Sequence, residues 1–312
     1  MANGGQALVD RLTERISILV PANLQRMIVL EDLNAESILT QRMQRFKQLW
    51  SQYDPPVAAQ YDVEQLEFDP IKINQELCTY FELLLRDRIN QAARSITLAY
   101  AIGTDLDAIA SRYPGGVPRL EGESDDRYRR RIWLSPNTLS PHGTAEAYEF
   151  WALTALPALR DVTAMRSVQH DYYPTILITC LLGPESPNPS PTQEELIRIR
   201  TYIQNLSRQG LTDVISVSGP KVKEIAYNIS VWLYPGTAPE QTLNKIASNL
   251  QQLVDNQYWL GHDHAHTAIH ASCALSGVHH VDIIEPVDDV LIASDWVVKV
   301  TGITVTLAGR MV

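Results

Sequence analysis

Residues 69–101 read DPIKINQELCTYFELLLRDRINQAARSITLAYA, and this stretch decides the architecture. Asp69 offers a capping carboxylate, and Pro70 suits the first helical position, where an N–H would go unused. No glycine or proline follows until Gly103. A helix running on to Ala101 would be a rod of roughly 45–50 Å. Gly103 is expected to stop it. Thr104 is then expected to cap a short helix, Asp105 to Ala110, with its acids in the first turn.

Helical spacing extends to both sides of the rod. Upstream, Leu8, Leu12, Ile16 and Leu19 recur at helical intervals until Pro21. Asn34 then offers an N-cap, and Leu39, Met43, Phe46 and Trp50 fall on one face of the helix that follows. Arg42, Arg45 and Lys47 lie opposite, and Asp54-Pro55-Pro56 is expected to end it. Downstream, Tyr113 to Gly116 reads as a loop. Ser124 caps DDRYRRRIWL, and Thr144 caps AEAYEFWALTAL, which Pro157 closes.

Near residue 160 the period changes from helix to strand. DVTAMRSVQ and PTILITCLLG read as a strand pair around the Asp171-Tyr172-Tyr173 turn. The loop PESPNPSP leads into a helix, TQEELIRIRTYIQNLSRQ, ended by Gly210, and then a strand, TDVISVSG. A second unit opens with VKEIAYNISVWLY, whose Ile225, Tyr227, Ile229, Val231 and Leu233 share a face. The helix PEQTLNKIASNLQQLV, a helix from about Asp263 to Leu275, and strands VHHVDIIEP and WVVKVTGITVTLA complete it. The expected class is α+β: a helical N-terminal half with a long strut helix, then two small α/β domains with antiparallel or mixed sheets. The expected divisions are 1–56, 57–158, 159–220 and 221–312, with loops such as 157–161 and 219–221 free to act as hinges.

Composition narrows the function classes. The 312 residues hold 36 acids and 26 bases, a formal charge of −10. Gripping nucleic acid through its phosphates needs a clustered basic excess, so no nucleic-acid partner is expected. Hydrophobic content of 45% and charged content of 20% are those of a globular chain. Cys78, Cys180 and Cys273 are odd in number, far apart and set in apolar stretches, which suits buried thiols better than a disulfide framework. No signal-peptide core and no run of eighteen apolar residues is present, so folding in a cytoplasm with no membrane partner is expected.

Three clusters invite a chemical reading. His262, His264, His266 and His270 lie close together, and His266 and His270 are spaced as zinc ligands on a helix can be. The residues between them are Thr267, Ala268 and Ile269, so the general base of a zinc protease motif is missing. Surface or helix-capping histidines are the expectation, and no cofactor is expected. Arg127, Arg129, Arg130 and Arg131 hint at a phosphate site, but Glu121, Glu123, Asp125 and Asp126 nearly cancel them. An ion-pair network, within or between subunits, is the better use of such arginines. Asp105 and Asp107, two apart on a helix, point to different sides. No Gly-x-Ser-x-Gly or phosphate loop occurs, so no enzyme is expected.

Three stretches in fixed order resemble the baseplate J-like proteins of contractile phage tails, typified by tail protein J of temperate myophages. They are DPIKINQELCTYFELLLRDRINQAARSITLAYAIGTDLDAIA, RLEGESDDRYRRRI and HGTAEAYEF. Within them stand Asn90-Gln91-Ala92-Ala93-Arg94, Gly103-Thr104-Asp105-Leu106-Asp107 and Gly122-Glu123-Ser124-Asp125, followed by Arg129 and Arg131. Leu260-Gly261, Gly277-Val278 and Glu285-Pro286 extend the likeness. The His262–His270 segment departs from it.

The resemblance implies a structural subunit of a baseplate wedge in the virion tail, made in the host cytoplasm. It implies two copies per wedge, joined by a smaller wedge protein like tail protein I, with six wedges around a central hub. C-terminal domains would link wedges into a ring that rearranges to release the sheath. Candidate interface residues are Leu39, Met43, Phe46 and Trp50, packed against another chain or within this one, together with Arg127, Arg129 and Arg130. The alternatives are a baseplate component of a non-phage contractile injection system and a zinc-dependent hydrolase using the His262–His270 segment.

Overall fold

The computed structural model describes residues 30–61, 69–113, 115–140, 143–167, 175–205, 208–210 and 213–310. The stripe Leu8 to Leu19 and the Asp171-Tyr172-Tyr173 turn lie outside the described residues. The chain divides into two compact units, Met1–Arg112 and Tyr113–Val312. The first is helical, and the second carries two small mixed sheets with helices, neither closed into a barrel.

In the first unit, α1 (Ala35–Trp50) starts as its sequence requires: the Asn34 side chain accepts the Ser37 N–H at 3.1 Å. Asp54-Pro55-Pro56 does more than end it. Asp54 accepts the Val57 N–H, and the prolines open a further short helix, α2 (Pro55–Gln60). The same carboxylate-proline signal starts α3 (Pro70–Ser95), where Asp69 accepts the Ile71 N–H at 3.3 Å.

The long helix has 26 residues and stops at Ser95, short of the expected Ala101. That makes it roughly 39 Å long. Ser95 Oγ donates to the Ala92 carbonyl at 2.9 Å, and Thr97 Oγ1 to the Ala93 carbonyl at 3.2 Å. Such side-chain bonds compete with the helical ladder at its end. Gly103 is therefore not the stop. It begins α4 (Gly103–Ala110) at φ +53, and Ile102, not Thr104, is the cap residue.

The second unit opens with α5 (Asp125–Leu134), capped by Ser124, a 3-10 turn (Ser135–Leu139) and α6 (Ala145–Ala155), capped by Thr144. Strand β1 (Leu159–Ser167) pairs antiparallel with β2 (Thr175–Leu182), placing Val162 opposite Cys180. Helix α7 (Gln193–Ile203), with its Thr192–Glu195 capping box, crosses over to β3 (Val214–Ser218), which runs parallel to β2. This helix ends well before Gly210. Tyr148, Leu153, Ile178, Cys180, Ile199 and Ile215 form the core between these layers.

Strand β4 (Lys221–Leu233) is central in the second sheet, between β5 (Val278–Glu285), antiparallel, and β6 (Trp296–Arg310), parallel. Its alternation holds: Tyr227, Ile229, Val231 and Leu233 are buried. They meet Ile246 and Leu250 of α8 (Pro239–Gln257) and Ile269 and Cys273 of α9 (His266–Cys273). Helix α9 is shorter than expected because His264 is drawn into a bridge with Val290, paired through both backbone groups at 3.0 and 2.9 Å. Cys180 and Cys273 are buried free thiols, with burial pushing them up to about 12 and about 11, while Cys78 on α3 is half-buried. Among the described residues no helix is long and apolar enough to cross a membrane.

Candidate interface surfaces

Helix α1 lies along α3 through polar contacts on one side. Arg42 meets Glu82 at 2.8 Å, and Arg86 meets both Glu82 and Glu31 at 2.7 Å. Hydrogen bonds from Arg42, then Arg86, hold the Glu82 carboxyl below its usual range. Asn90 clasps the backbone of Glu31, accepting its N–H at 3.1 Å and donating to its carbonyl at 3.0 Å. The expected stripe of Leu39, Met43, Phe46 and Trp50 is half-buried along its whole length. Part of its cover comes from this chain: Tyr61 stacks 5.2 Å from Trp50 and 6.3 Å from Phe46.

A larger apolar surface lies on α3 itself, which the sequence reading treated only as a strut. Leu77, Tyr80, Phe81, Leu84, Leu85 and Ile89 are all exposed on the side away from Thr79 and Asn90. Four-residue spacing was visible in the sequence. Nothing in it distinguished a face covered by this chain from one left open.

The arginines of α5 fold inward. Glu123 is enclosed, and Arg131 grips it through Nε to Oε1 at 2.7 Å and Nη2 to Oε2 at 2.8 Å, while Arg127 pairs with the same Oε1. Burial pushes the Glu123 carboxyl up, but the Arg131 hydrogen bond, the Leu120 N–H and the two guanidinium charges hold it below its usual range. Arg127 also donates to the carbonyls of Leu153, Leu156 at 3.1 Å and Leu159 at 3.0 Å. Those carbonyls lie at and beyond the end of α6, where orphan acceptors need donors. Arg130 reaches Asp161 on β1, and Arg129 pairs with the exposed Asp126 at 2.6 Å. The network therefore joins α5 to α6 and β1 within the chain.

Asp161 and Arg160 carry the connection into the C-terminal domain. Asp161 Oδ2 accepts the Leu260 N–H at 2.9 Å. Arg160 donates to the carbonyls of Tyr258 at 2.9 Å and Asp255 at 2.8 Å, with its guanidinium 4.6 Å over the Trp259 ring. Thr163 donates to the Ser294 carbonyl at 3.1 Å, and Leu181, Tyr258, Leu260 and Val297 form a small core between the two domains. The expected hinge at 157–161 is thus tied on both sides, and movement at 219–221 would have to break the Arg160 contacts.

The histidines do not converge. His264 is 1% exposed, not a surface or capping residue, and its Nδ1 sits 2.5 Å from the Tyr227 hydroxyl. Its Nε2 has no partner. Burial, with His262 adding to it, pushes His264 down to about 4. His266 Nε2 reaches the Pro286 carbonyl at 2.7 Å, while its backbone N–H is capped by Asp289. Asp263 serves the Ile292 N–H rather than the helix. Among the described residues no group of three or more His, Cys, Asp or Glu side chains is placed to hold a metal ion.

Residues 67–125, which hold α3, α4 and the Glu123 loop, match the Baseplate J-like N-terminal domain family. Over 279 residues the chain is 27% identical to Baseplate protein J of Escherichia phage P2, covering 85% of this chain and 90% of that one. A chain in the cryo-EM structure of the six-fold symmetrised anti-feeding prophage (AFP) baseplate matches with TM-score 0.42 and 13% identity. That match covers 61% of this chain and 43% of the other, less than half its length.

Proposed function

We propose that this chain, similar along most of its length to Baseplate protein J of Escherichia phage P2 and matching the Baseplate J-like N-terminal domain family at residues 67–125, builds the wedges of a contractile-tail baseplate. The observation that carries this reading is similarity running along nearly the whole of both chains, not confined to one motif. Homology to a structural baseplate protein also accords with a non-enzymatic role.

In finer detail, two copies occupy each wedge, joined by a smaller wedge protein like tail protein I, and six wedges surround the hub. Residues 1–56 supply bundle contacts, with Leu39, Met43, Phe46 and Trp50 among them, and 57–158 form the helical core. The domains 159–220 and 221–312 follow, the last contacting neighbouring wedges. Arg127, Arg129 and Arg130 of α5 face partners within the chain, so they would meet a neighbour only if those pairs exchanged. On host contact these contacts exchange, and the ring widens to release the sheath. Only contacts that differ in energy between the two states can drive such a change. The inward network of α5 and the Arg160 contacts support this reading, because a subunit that transmits movement needs internal joints stiffer than its external ones.

Electron microscopy of assembled particles tests the proposal. A tag on this chain is expected around the hub, and deletion of its gene is expected to leave tails without baseplates. Infectious contractile tails assembled without it would overturn the reading.

A further inference from the structure

The loop joining β5 to β6 shows its aliphatic side chains to solvent. Among the described residues, Val287 at 77% and Leu291 at 69% are the most exposed large aliphatics, and Ile284, at the end of β5, is 49% exposed. One exposed aliphatic needs no explanation, whereas three within eight residues call for one. Looseness does not supply it, because the loop is tied along its length. His266 Nε2 reaches the Pro286 carbonyl at 2.7 Å, and Asp289 Oδ1 accepts the His266 N–H at 2.7 Å. Val290 is bridged to His264, and the Ile292 N–H donates to Asp263 Oδ1 at 2.8 Å. The bridge places Val290 inside, 5% exposed, and so turns its neighbour Leu291 outward. Charge around the loop has a single sign. From Ile246 to Val298 the chain holds seven acids and no lysine or arginine. Lys221 of β4 pairs with Asp295 at 2.9 Å, but among the described residues no lysine or arginine pairs with Glu285, Asp288 or Asp289, all exposed.

We propose that residues 284–292 form a plug for an apolar socket edged with lysine or arginine on a different protein of the same assembly. Val287 and Leu291 supply the apolar contact. Glu285, Asp288 and Asp289 form an acidic rim, which draws in and orients a surface of opposite charge. The ties to residues 263–266 hold the loop in one shape before any contact, so docking does not have to order it. The same charge argues against a second copy's loop as the occupant. A two-fold contact matches one patch with itself, and here it would set acids against acids. The inference rests on the wedge reading and deepens it, naming the chemistry of one contact made by the C-terminal domain.

Photo-cross-linking in purified tails tests it, with a benzophenone amino acid at position 287 of the full chain. A link to a different tail protein is expected. Glu285→Lys with Asp288→Lys is expected to cut the yield of that link about tenfold, because lysines placed against a basic rim repel it. Leu291→Ser is expected to lower the yield in the same direction by removing apolar contact. All three positions are exposed, so thermal unfolding of the purified variants is expected to match that of the unaltered chain. Tails that hold the chain but show no link at position 287 would overturn the plug. So would a link to a second copy of this chain, or a yield that the charge reversal leaves unchanged or raises. Tails that lack the chain altogether would overturn the wedge reading and the plug with it, so the two failures are told apart.

Discussion

Arg130 and Asp161 stand 2.5 Å apart with side chains only 7% and 5% exposed, joining α5 to the first strand of the sheet. Both Asp161 oxygens are committed: Oδ1 also accepts the Val162 N–H at 2.7 Å, and Oδ2 takes the Leu260 N–H from the neighbouring domain. Removing one member of a buried pair leaves the other charged and unmatched, at a cost of about 3–5 kcal/mol. Asp161→Ala is therefore expected to lower unfolding stability by that order, measured by urea denaturation. Arg130→Met with Asp161→Leu is expected to recover much of it.

Arg160 is expected to behave differently, because it ties two domains without lying in either core. Arg160→Ala removes two hydrogen bonds, one part-buried and one exposed, and the contact with Trp259, and water can replace much of what is lost. Global unfolding should shift little. Proteolytic cleavage and hydrogen exchange at residues 219–221 should rise instead, and unchanged protection there would show that the two domains are held by their shared apolar core alone.

His264 gives the fold a response to acid. Its folded value, about 4, lies below the ordinary value near 6.5, so the folded state prefers the neutral ring. The stability this contributes is fully present above pH 6.5 and is lost as pH falls from 6.5 toward 4. Over that window the loss approaches about 3 kcal/mol. His264→Phe should flatten stability between pH 6.5 and 4. The contribution of Glu123, whose value is held low, is lost only at lower pH as it falls through the folded value, so the two can be separated by pH.

Gly103 tests backbone strain without a packing change. Its φ is +53, and a Cβ added there would meet nothing within 4 Å. Gly103→Val should cost about 1–2 kcal/mol from the left-handed backbone, and Gly103→Asn distinctly less. Equal losses in thermal unfolding would point to a steric clash rather than strain.

What the sequence made legible was what neighbouring residues decide. Asn34, Asp69, Ser124 and Thr144 each cap the helix directly after them, and the alternation of Tyr227 to Leu233 marks its strand by itself. Distant partners were not legible. Asp289 caps α9 from 23 residues away, and His264 is buried because Val290 and Tyr227 surround it. The inward turn of Arg127 and Arg130 depends on carbonyls and a carboxylate about thirty positions later. The early end of α3 was decided locally, by Ser95 and Thr97, but hydroxyls that cap and hydroxyls that merely decorate a helix look alike in one dimension.

An oily contact can slide under load, because its attraction has no direction. The Asp161 carboxylate has no such freedom: one oxygen faces a guanidinium and an adjoining amide, the other an amide of the next domain. Tension entering at Leu260 would reach α5 through hydrogen bonds that lose most of their strength within a fraction of an ångström. This joint should hold its shape and then snap, with little creep in between.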